Sequence, residues 1–140
     1  MDFSRFLQAQ RSAFDNARNE LVAGAKASHW MWYIFPQLRA LGHSGTARFY
    51  GIGSLAEARQ YVAHSVLGPR LIELTQTVLN HRGISPQTIF GSPDDLKFRS
   101  SMTLFALAAP QHGEFRQAIA AFYDGPDRQT LDLLDAEWPG

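Results

Sequence analysis

The first region of this chain with residues suited to chemistry is the segment 26–37, which combines aromatic rings and polar side chains and contains no acid. Lys26, His29 and Trp30 are spaced by three and four positions, so on a helix they would share one face. A histidine transfers protons near neutral pH, and tryptophan rings stack on flat heterocycles. We therefore predict His29 as a catalytic acid or base; a hydrogen-bonded histidine within an aromatic core is the alternative. The predicted ligand contacts in this segment are Lys26, Trp30 and Trp32.

A second polar group lies in the stretch 94–101, at the start of a predicted helix. Lys97 and Ser101 are four positions apart, so the ammonium and the hydroxyl group could meet on one helix face. The free amide groups of a helix start could also hold a phosphate or a carboxylate. Alternatively, Lys97 pairs with Asp94 and the serines donate back to helix carbonyl groups. The predicted catalytic residues here are Asp95 and Lys97, and the predicted ligand contacts are Arg99, Ser100 and Ser101.

A turn after Pro36 adds two candidate contacts for an anion, Gln37 and Arg39. The histidines lack the spacings that make metal sites recognisable, so we predict no metal and no other cofactor. The sequence contains no phosphate-binding glycine loop, dinucleotide fingerprint or nucleophile elbow. Whether the protein is an enzyme stays open. If it is one, we expect a metal-free hydrolase similar to an N-glycosidase.

Charge is distributed unevenly along a chain whose formal net charge is zero. No acid lies between Glu20 and Glu57, whereas the part from Asp94 onward carries eight acids. The positive middle either compensates the negative tail in the folded protein or holds an anionic ligand. A near-neutral isoelectric point and only two lysines argue against duplex nucleic acid as a partner.

Cysteine is absent, which excludes disulfides, thiolate metal sites and a cysteine nucleophile. The first residues lack the basic start and the apolar run of a secretory signal. No window reaches the roughly 20 apolar residues that a membrane span needs. We therefore expect a cytoplasmic protein that does not enter membranes, and the sequence leaves its oligomeric state open.

Hydrophobic residues recur at helical spacing in most of the chain. Each predicted helix combines an apolar stripe with a capping residue, a proline start or a glycine stop. The predicted helices run from Asp2 or Ser4 to Gly24, from Ser54 onward, over 66–81, from Pro86 onward, over 93–109, over 114–123 and from Asp127 onward.

The helix predicted for residues 93–109 is apolar on nearly every side from Met102 onward, and such a helix is usually surrounded by others. No alternating run of five or more residues rich in β-branched side chains supports a sheet. We predict a single all-α domain over residues 1–140. It should contain about six to eight short helices around this buried central helix.

Several strings of the sequence resemble those of a known family. They are Phe3-Ser4-Arg5-Phe6, the segment 28–37, Leu67–Leu71, Asp94–Lys97 and Ser100–Phe105. Over nearly its whole length the chain is similar to an uncharacterised and mostly bacterial family, domain-of-unknown-function family 1810, which is often mislabelled calpastatin-like. This resemblance implies a compact helical fold and brings no established reaction. The folded-protein composition is the opposite of calpastatin, a disordered inhibitor.

Two functions of different classes fit these residues. The first is a pocket protein that binds a small anionic metabolite, such as a nucleotide or an ADP-ribose derivative, and in its enzymatic form hydrolyses it. The stretch from Lys97 to Leu131 also has a loose likeness in apolar pattern to small helical N-glycosidases of ADP-ribose metabolism. The second is a non-catalytic interaction module, in which the aromatic segment forms an exposed groove for a partner helix or peptide.

Overall fold

The computed structural model describes residues 1–139, and in that range the chain forms nine α-helices and one 3₁₀ turn. The helices are α1 (Ser4–Val22), α2 (Met31–Ile34), α3 (Gly45–Phe49), α4 (Leu55–Ala63), α5 (Leu67–Leu79), α6 (Pro86–Phe90), α7 (Asp94–Ala108), α8 (Glu114–Phe122) and α9 (Arg128–Leu133). The 3₁₀ turn is Arg39–Leu41, and an isolated parallel bridge joins Leu38 to Ile52. The all-α prediction is confirmed. The number of helices in the described residues exceeds the predicted six to eight, because the sequence pattern does not reveal the short helices α2 and α3.

Helix α7 runs through the middle of the protein, as its apolar sequence predicts. Every residue from Ser100 to Ala106 is buried, and α4, α6, α8 and α9 pack around the helix. Most enclosed polar side chains find partners nearby, because water does not reach them. The hydroxyl groups of Ser100 and Thr103 accordingly donate to the carbonyl groups of Leu96 and Arg99, at 3.1 and 2.9 Å.

Predicted side-chain caps are present at the starts of α4, α6 and α9. Side-chain oxygens of Ser54, Ser85 and Asp127 accept hydrogen bonds from the backbone amide three residues ahead, at 3.1, 3.1 and 2.9 Å. Each bond satisfies one of the amide groups that a helix start leaves without a partner. The local sequence therefore fixes where these helices begin.

The starts of α1 and α7 differ from the prediction. Phe3 occupies the cap position of α1, and the Asp2 carboxylate instead accepts from the backbone amide of Ser4 at 2.8 Å. Pro93, which follows a cis peptide bond, occupies the cap position of α7 rather than its first turn. Its carbonyl group accepts the first helical hydrogen bonds, so α7 begins at Asp94.

Helix α1 places its buried residues on one stripe, and these are Phe6, Gln10, Phe14, Ala17 and Leu21. Gln10 is the polar exception in this stripe. Its side-chain amide donates to the carbonyl of Tyr33 at 2.7 Å and to the hydroxyl of Tyr61 at 3.2 Å. A buried amide with partners on two other elements explains why a polar residue interrupts the apolar pattern.

The aromatic segment, which we define as residues 28–37, forms one wall of the core. Trp30, Met31, Ile34 and Phe35 are all buried. The ring of Phe35 lies 4.9 Å from that of Phe98 on α7, in an edge-to-face arrangement. The segment is thereby fixed against the first half of α7, so the two regions that the sequence singles out lie together. Within residues 1–139, no helix is long and apolar enough to cross a membrane.

Candidate functional site

The first two tryptophans of the chain have different surroundings. Trp30 is 1% exposed, and its indole nitrogen donates to the carboxylate of Glu20 at 2.9 Å. Trp32 is partly exposed and lines a cleft. The predicted stacking role of Trp30 has no support from this position, because the buried ring presents no surface to a ligand. Trp32 keeps ring surface that a ligand could contact.

Two lysines flank the carboxylate of Asp94, and each lysine lies beside a tryptophan ring. We call these five residues the charge cluster: Trp30, Lys26, Asp94, Lys97 and Trp32. The Lys26 ammonium lies 2.9 Å from one Asp94 oxygen and 5.0 Å from the centre of the Trp30 ring. The Lys97 ammonium lies 3.6 Å from the other Asp94 oxygen and 5.7 Å from the centre of the Trp32 ring. The two cations and the one anion of the cluster sum to a net charge of plus one.

A cleft opens beside the charge cluster, between the aromatic segment, α3 and the start of α7. Its lining consists of Met31, Trp32, Phe35, Gln37, Ala47, Tyr50, Gly51 and Lys97. The space in which a water-sized molecule can be centred is about 10 Å³. All atom-free space in the cleft, including open solvent at its mouth, amounts to about 250 Å³. The first of these volumes holds about one water molecule. Gln37, Tyr50 and Lys97 contribute the polar groups, and the rest of the lining is mostly apolar.

His29 lies on the surface and outside the cleft lining. Residues 23–30 are irregular, so the helix face predicted to join Lys26, His29 and Trp30 does not exist. Lys26 and Trp30 still meet, because the loop folds the ammonium over the ring. The prediction of a shared helix face is wrong, and the catalytic role of His29 has no support from its position.

Three of the first four amide groups of α7 already have backbone partners. The amide of Asp95 donates to the carbonyl of Gly91 at 2.9 Å. The amides of Leu96 and Lys97 donate to the carbonyl of Pro93 at 3.0 and 3.2 Å. These three groups are not free to hold a phosphate or a carboxylate, so the predicted anion site at this helix start has no support from their positions.

Asp95 lies against the end of α8 and not in the cleft lining. Its backbone carbonyl accepts a hydrogen bond from the hydroxyl of Tyr123. One oxygen of the Asp95 carboxylate is buried and has no hydrogen-bond partner in the part of the chain that the structure describes. Burial, together with the neighbouring Asp95 charge, raises the pKa of the Tyr123 hydroxyl, so that hydroxyl remains a donor at neutral pH. Asp95 therefore contacts the end of α8 and, like His29, lies outside the cleft lining that contains Lys97.

The remaining candidates on α7 do not line the cleft. Arg99 donates to the carbonyl of Gly125 at 2.8 Å and to the carboxylate of Asp124 at 2.9 Å. Ser101 is fully buried, and its hydroxyl group is unpaired among the described residues. The predicted meeting of Lys97 and Ser101 is not formed, because the Lys97 ammonium lies at Asp94 and Trp32. Ser100 bonds back to its own helix, which is the structural alternative that the sequence allows.

Gln37 lines the cleft, and Arg39 lies behind one of its walls. The guanidinium of Arg39 donates to the carbonyl of Gly51 at 3.3 Å. Gly51 belongs to the cleft lining, and a side chain at this position would collide with the backbone of Arg39. A glycine is therefore required for the two chain segments to approach this closely.

Two residues in or near the site, Tyr50 and Glu20, are not among the predicted site residues. Tyr50 lines the cleft, and the Tyr50 ring lies 5.2 Å from the ring of Tyr33. Glu20 holds the loop before the aromatic segment by accepting from the backbone amides of Ala27 and Ser28, at 2.6 and 2.9 Å. The signal for Glu20 is its place as the last acid before the acid-free stretch. Tyr50 has no comparable signal.

Of the three predicted catalytic residues, Lys97 lines the cleft, whereas His29 and Asp95 do not. The predicted ligand contacts that line the cleft are Trp32 and Gln37, and they lie in the same lining as Lys97. In residues 1–139, no three histidine, aspartate or glutamate side chains converge in a way that could hold a metal ion. The arrangement suits the binding of a flat group with one negative charge more than it suits acid–base chemistry.

These features define a small all-α protein with charged and aromatic residues around a shallow cleft. The chain belongs to the family described as "Protein of unknown function (DUF1810)", which matches residues 1–134. The sequence resemblance is thereby confirmed. The crystal structure of the conserved hypothetical protein Rv1873 from Mycobacterium tuberculosis, at 1.38 Å, is similar, with a TM-score of 0.92. The two sequences are 49% identical, and the match covers 96% of each chain. No curated protein matches this sequence.

Proposed function

We propose that the cleft binds a small, flat and anionic ligand of the nucleotide or ADP-ribose class. The observation that carries this proposal is the position of the Lys97 ammonium, 5.7 Å from the centre of the Trp32 ring at the edge of the cleft. A flat ring stacked on Trp32 would bring an attached acidic group close to this ammonium. Stacking and a charge-assisted hydrogen bond would then act together.

The small enclosed volume supports binding across the mouth of the cleft rather than inside it. Pockets that enclose a ligand measure roughly 300–1,000 Å³. The enclosed space here is about 10 Å³. A ligand that stays partly in water loses less of its hydration and gains less from burial, so we expect a dissociation constant of about 10 µM to 1 mM. We propose that binding takes place in the bacterial cytoplasm, where nucleotides are abundant.

We limit the proposal to binding without hydrolysis. A general acid or base must lie within hydrogen-bond reach of the proton that it transfers. His29 is on the surface, and the Asp95 charge lies close to the Tyr123 hydroxyl. Neither residue belongs to the cleft lining, where Trp32 and Lys97 would hold a ligand. Hydrolysis by the three predicted catalytic residues would require a rearrangement of the loop 23–30 and of the start of α7.

Tryptophan fluorescence tests the proposal directly. In a Trp138→Phe background the emission comes from Trp30 and Trp32, and a ring stacked on Trp32 is expected to quench it. We expect saturable quenching by AMP or ADP-ribose. Lys97→Met should raise the dissociation constant about tenfold, because a contact between the ammonium and the ligand anion is lost.

Arg116→Met is the matched control, since it removes an exposed cation on α8 outside the cleft lining. This variant should bind with unchanged affinity. Absence of saturable quenching by AMP, ADP, NAD and ADP-ribose up to about 10 mM would contradict the proposal. An equal loss of affinity in the Lys97 and Arg116 variants would show that the cleft is not the site.

An exposed phenylalanine favours a second candidate function, which is docking of a protein partner. Phe49 is 59% exposed, and its ring lies 4.9 Å from that of Tyr50. A partner helix or peptide would cover these rings. We expect a photoactivatable crosslinking residue at position 49 to give one discrete adduct in living cells. The same residue at the exposed position of Ile84 is the control, and the same adducts from both positions would argue against docking here.

A further inference from the structure

Lys26 is close to the cleft but cannot contact a ligand. Its side chain is only 7% exposed. The ammonium donates to the carbonyl of Ser28 at 2.6 Å, pairs with Asp94 at 2.9 Å and lies over the ring of Trp30. Two of the three ammonium hydrogens therefore have oxygen partners, and the Trp30 ring lies against the same group. Any role of Lys26 in binding must therefore act through one of these partners.

Asp94 is the partner that connects Lys26 to the cleft. Its carboxylate lies 2.9 Å from the Lys26 ammonium and 3.6 Å from that of Lys97. Coulomb attraction grows as the distance shortens and as water is excluded. The pair with Lys26 is both shorter and more buried, because the Lys97 side chain is 29% exposed. Lys26 is therefore the main counterion of Asp94, and Lys97 is held more weakly.

We propose that Lys26 is a positioning residue: by neutralising Asp94, it leaves the positive charge of Lys97 available to an anion in the cleft. This inference rests on the proposed function, and it explains why the cleft carries a positive charge. Without Lys26, Asp94 would pair with Lys97 alone, and the net charge of the cluster would fall from plus one to zero. The cleft would then lose its preference for an anion although every residue of its lining is still present.

Quenching of Trp32 fluorescence by iodide measures the charge at the cleft without requiring the natural ligand. A positive neighbour concentrates iodide near the ring, whereas acrylamide is neutral and reports access alone. In the Trp138→Phe background, Trp30 is too buried for either quencher. We expect Lys26→Met to lower the iodide quenching constant about twofold and to leave the acrylamide constant unchanged. Lys26→Met/Asp94→Asn should restore the iodide constant, because one uncompensated cation is present again.

Lys97→Met is the positive control and should lower the iodide constant to a similar extent. Lys26→Arg keeps the charge and should behave like the parent protein. If Lys26→Met does not fold, Asp94→Asn decides the question, because the inference requires it to raise the iodide constant. The inference is overturned if the iodide quenching constant is unchanged in Lys26→Met or in Asp94→Asn. It is also overturned if the constant stays low in the double variant. If these results hold while no nucleotide binds, the proposed function fails and the charge balance stands.

Discussion

At the scale of single residues, Glu20 holds an irregular loop in place. Its carboxylate accepts hydrogen bonds from the side chain of Asn16, the amide of Ala27, the amide and hydroxyl of Ser28, and the indole of Trp30. Burial by itself would raise the pKa of this carboxyl, but the hydrogen bonds from Ser28, Ala27 and Trp30 outweigh it and lower the pKa to about 2. The loop carries Lys26, so Glu20 also fixes one end of the charge cluster.

Glu20→Gln should lower the free energy of unfolding at neutral pH by about 1–3 kcal/mol, because several donors lose a charged acceptor. The effect depends on pH. The carboxyl titrates near 4.5 in the unfolded chain and at about 2 in the folded protein. Its stabilisation is therefore complete above about pH 5 and is lost as the pH falls toward 2. Urea unfolding of both proteins at pH 7 and at about pH 3 should show the difference shrinking at the lower pH. A difference that stays constant would contradict this explanation.

At the scale of elements, α4 and α5 approach each other at a glycine. Gly68 lies in the first turn of α5, and a Cβ atom there would overlap the backbone carbonyl of Val62 on α4. The amide of Gly68 donates to the carbonyl of His64 at 3.1 Å. Two backbones come this close only where a side chain is missing. This explains a glycine inside a helix, where it lowers helix propensity.

Gly68→Ala is expected to destabilise the protein by about 2–3 kcal/mol, because α5 must move away from α4 to admit the methyl group. Gly45→Ala is the matched control, since Gly45 is helical and has open space around its Cα atom. That control should be neutral or should stabilise by up to about 1 kcal/mol. Thermal unfolding followed by circular dichroism compares the two. A loss of stability in the control as large as in Gly68→Ala would show that steric overlap is not the cause.

At the scale of the whole molecule, one ring joins three parts of the core. Phe98 is fully buried on α7. Its ring is stacked on that of Phe90 from α6, at 4.6 Å, and meets that of Phe35 from the aromatic segment at 4.9 Å. Elements that share one core residue lose their packing together, so we expect the protein to unfold in a single cooperative transition.

Phe98→Ala should cost about 3–5 kcal/mol, because it leaves a cavity in the centre of the core. Far-UV circular dichroism reports the helices, and the fluorescence of buried Trp30 reports the wall formed by the aromatic segment. The two denaturation curves should still coincide in the variant. Phe49→Ala is the control, and its effect should stay within about 1 kcal/mol because this ring is largely exposed. Separate transitions for the two signals would show that the aromatic segment unfolds on its own.

Much of the fold is predictable from the sequence because helix formation depends on neighbouring residues. Caps at Ser54, Ser85 and Asp127 and the apolar faces of α1, α5 and α7 are local signals, and all appear in the structure. The short helices α2 and α3 escape prediction because a single turn has too few residues for a periodic pattern. Their formation depends on packing against the rest of the protein.

The sequence by itself determined the helical class, the central helix and the two regions that meet at the cleft. The tertiary structure alone decided which side chains of those regions face each other. Trp30 turned inward and Trp32 outward, although they are two residues apart in an equally apolar stretch. Lys26 and Lys97 share Asp94 although they are distant in the chain. The pair of Lys97 with Asp94 follows from a spacing of three on one helix, and the sequence allows it. The pair of Lys26 with Asp94 depends on how the loop folds against α7, which residue spacing does not reveal.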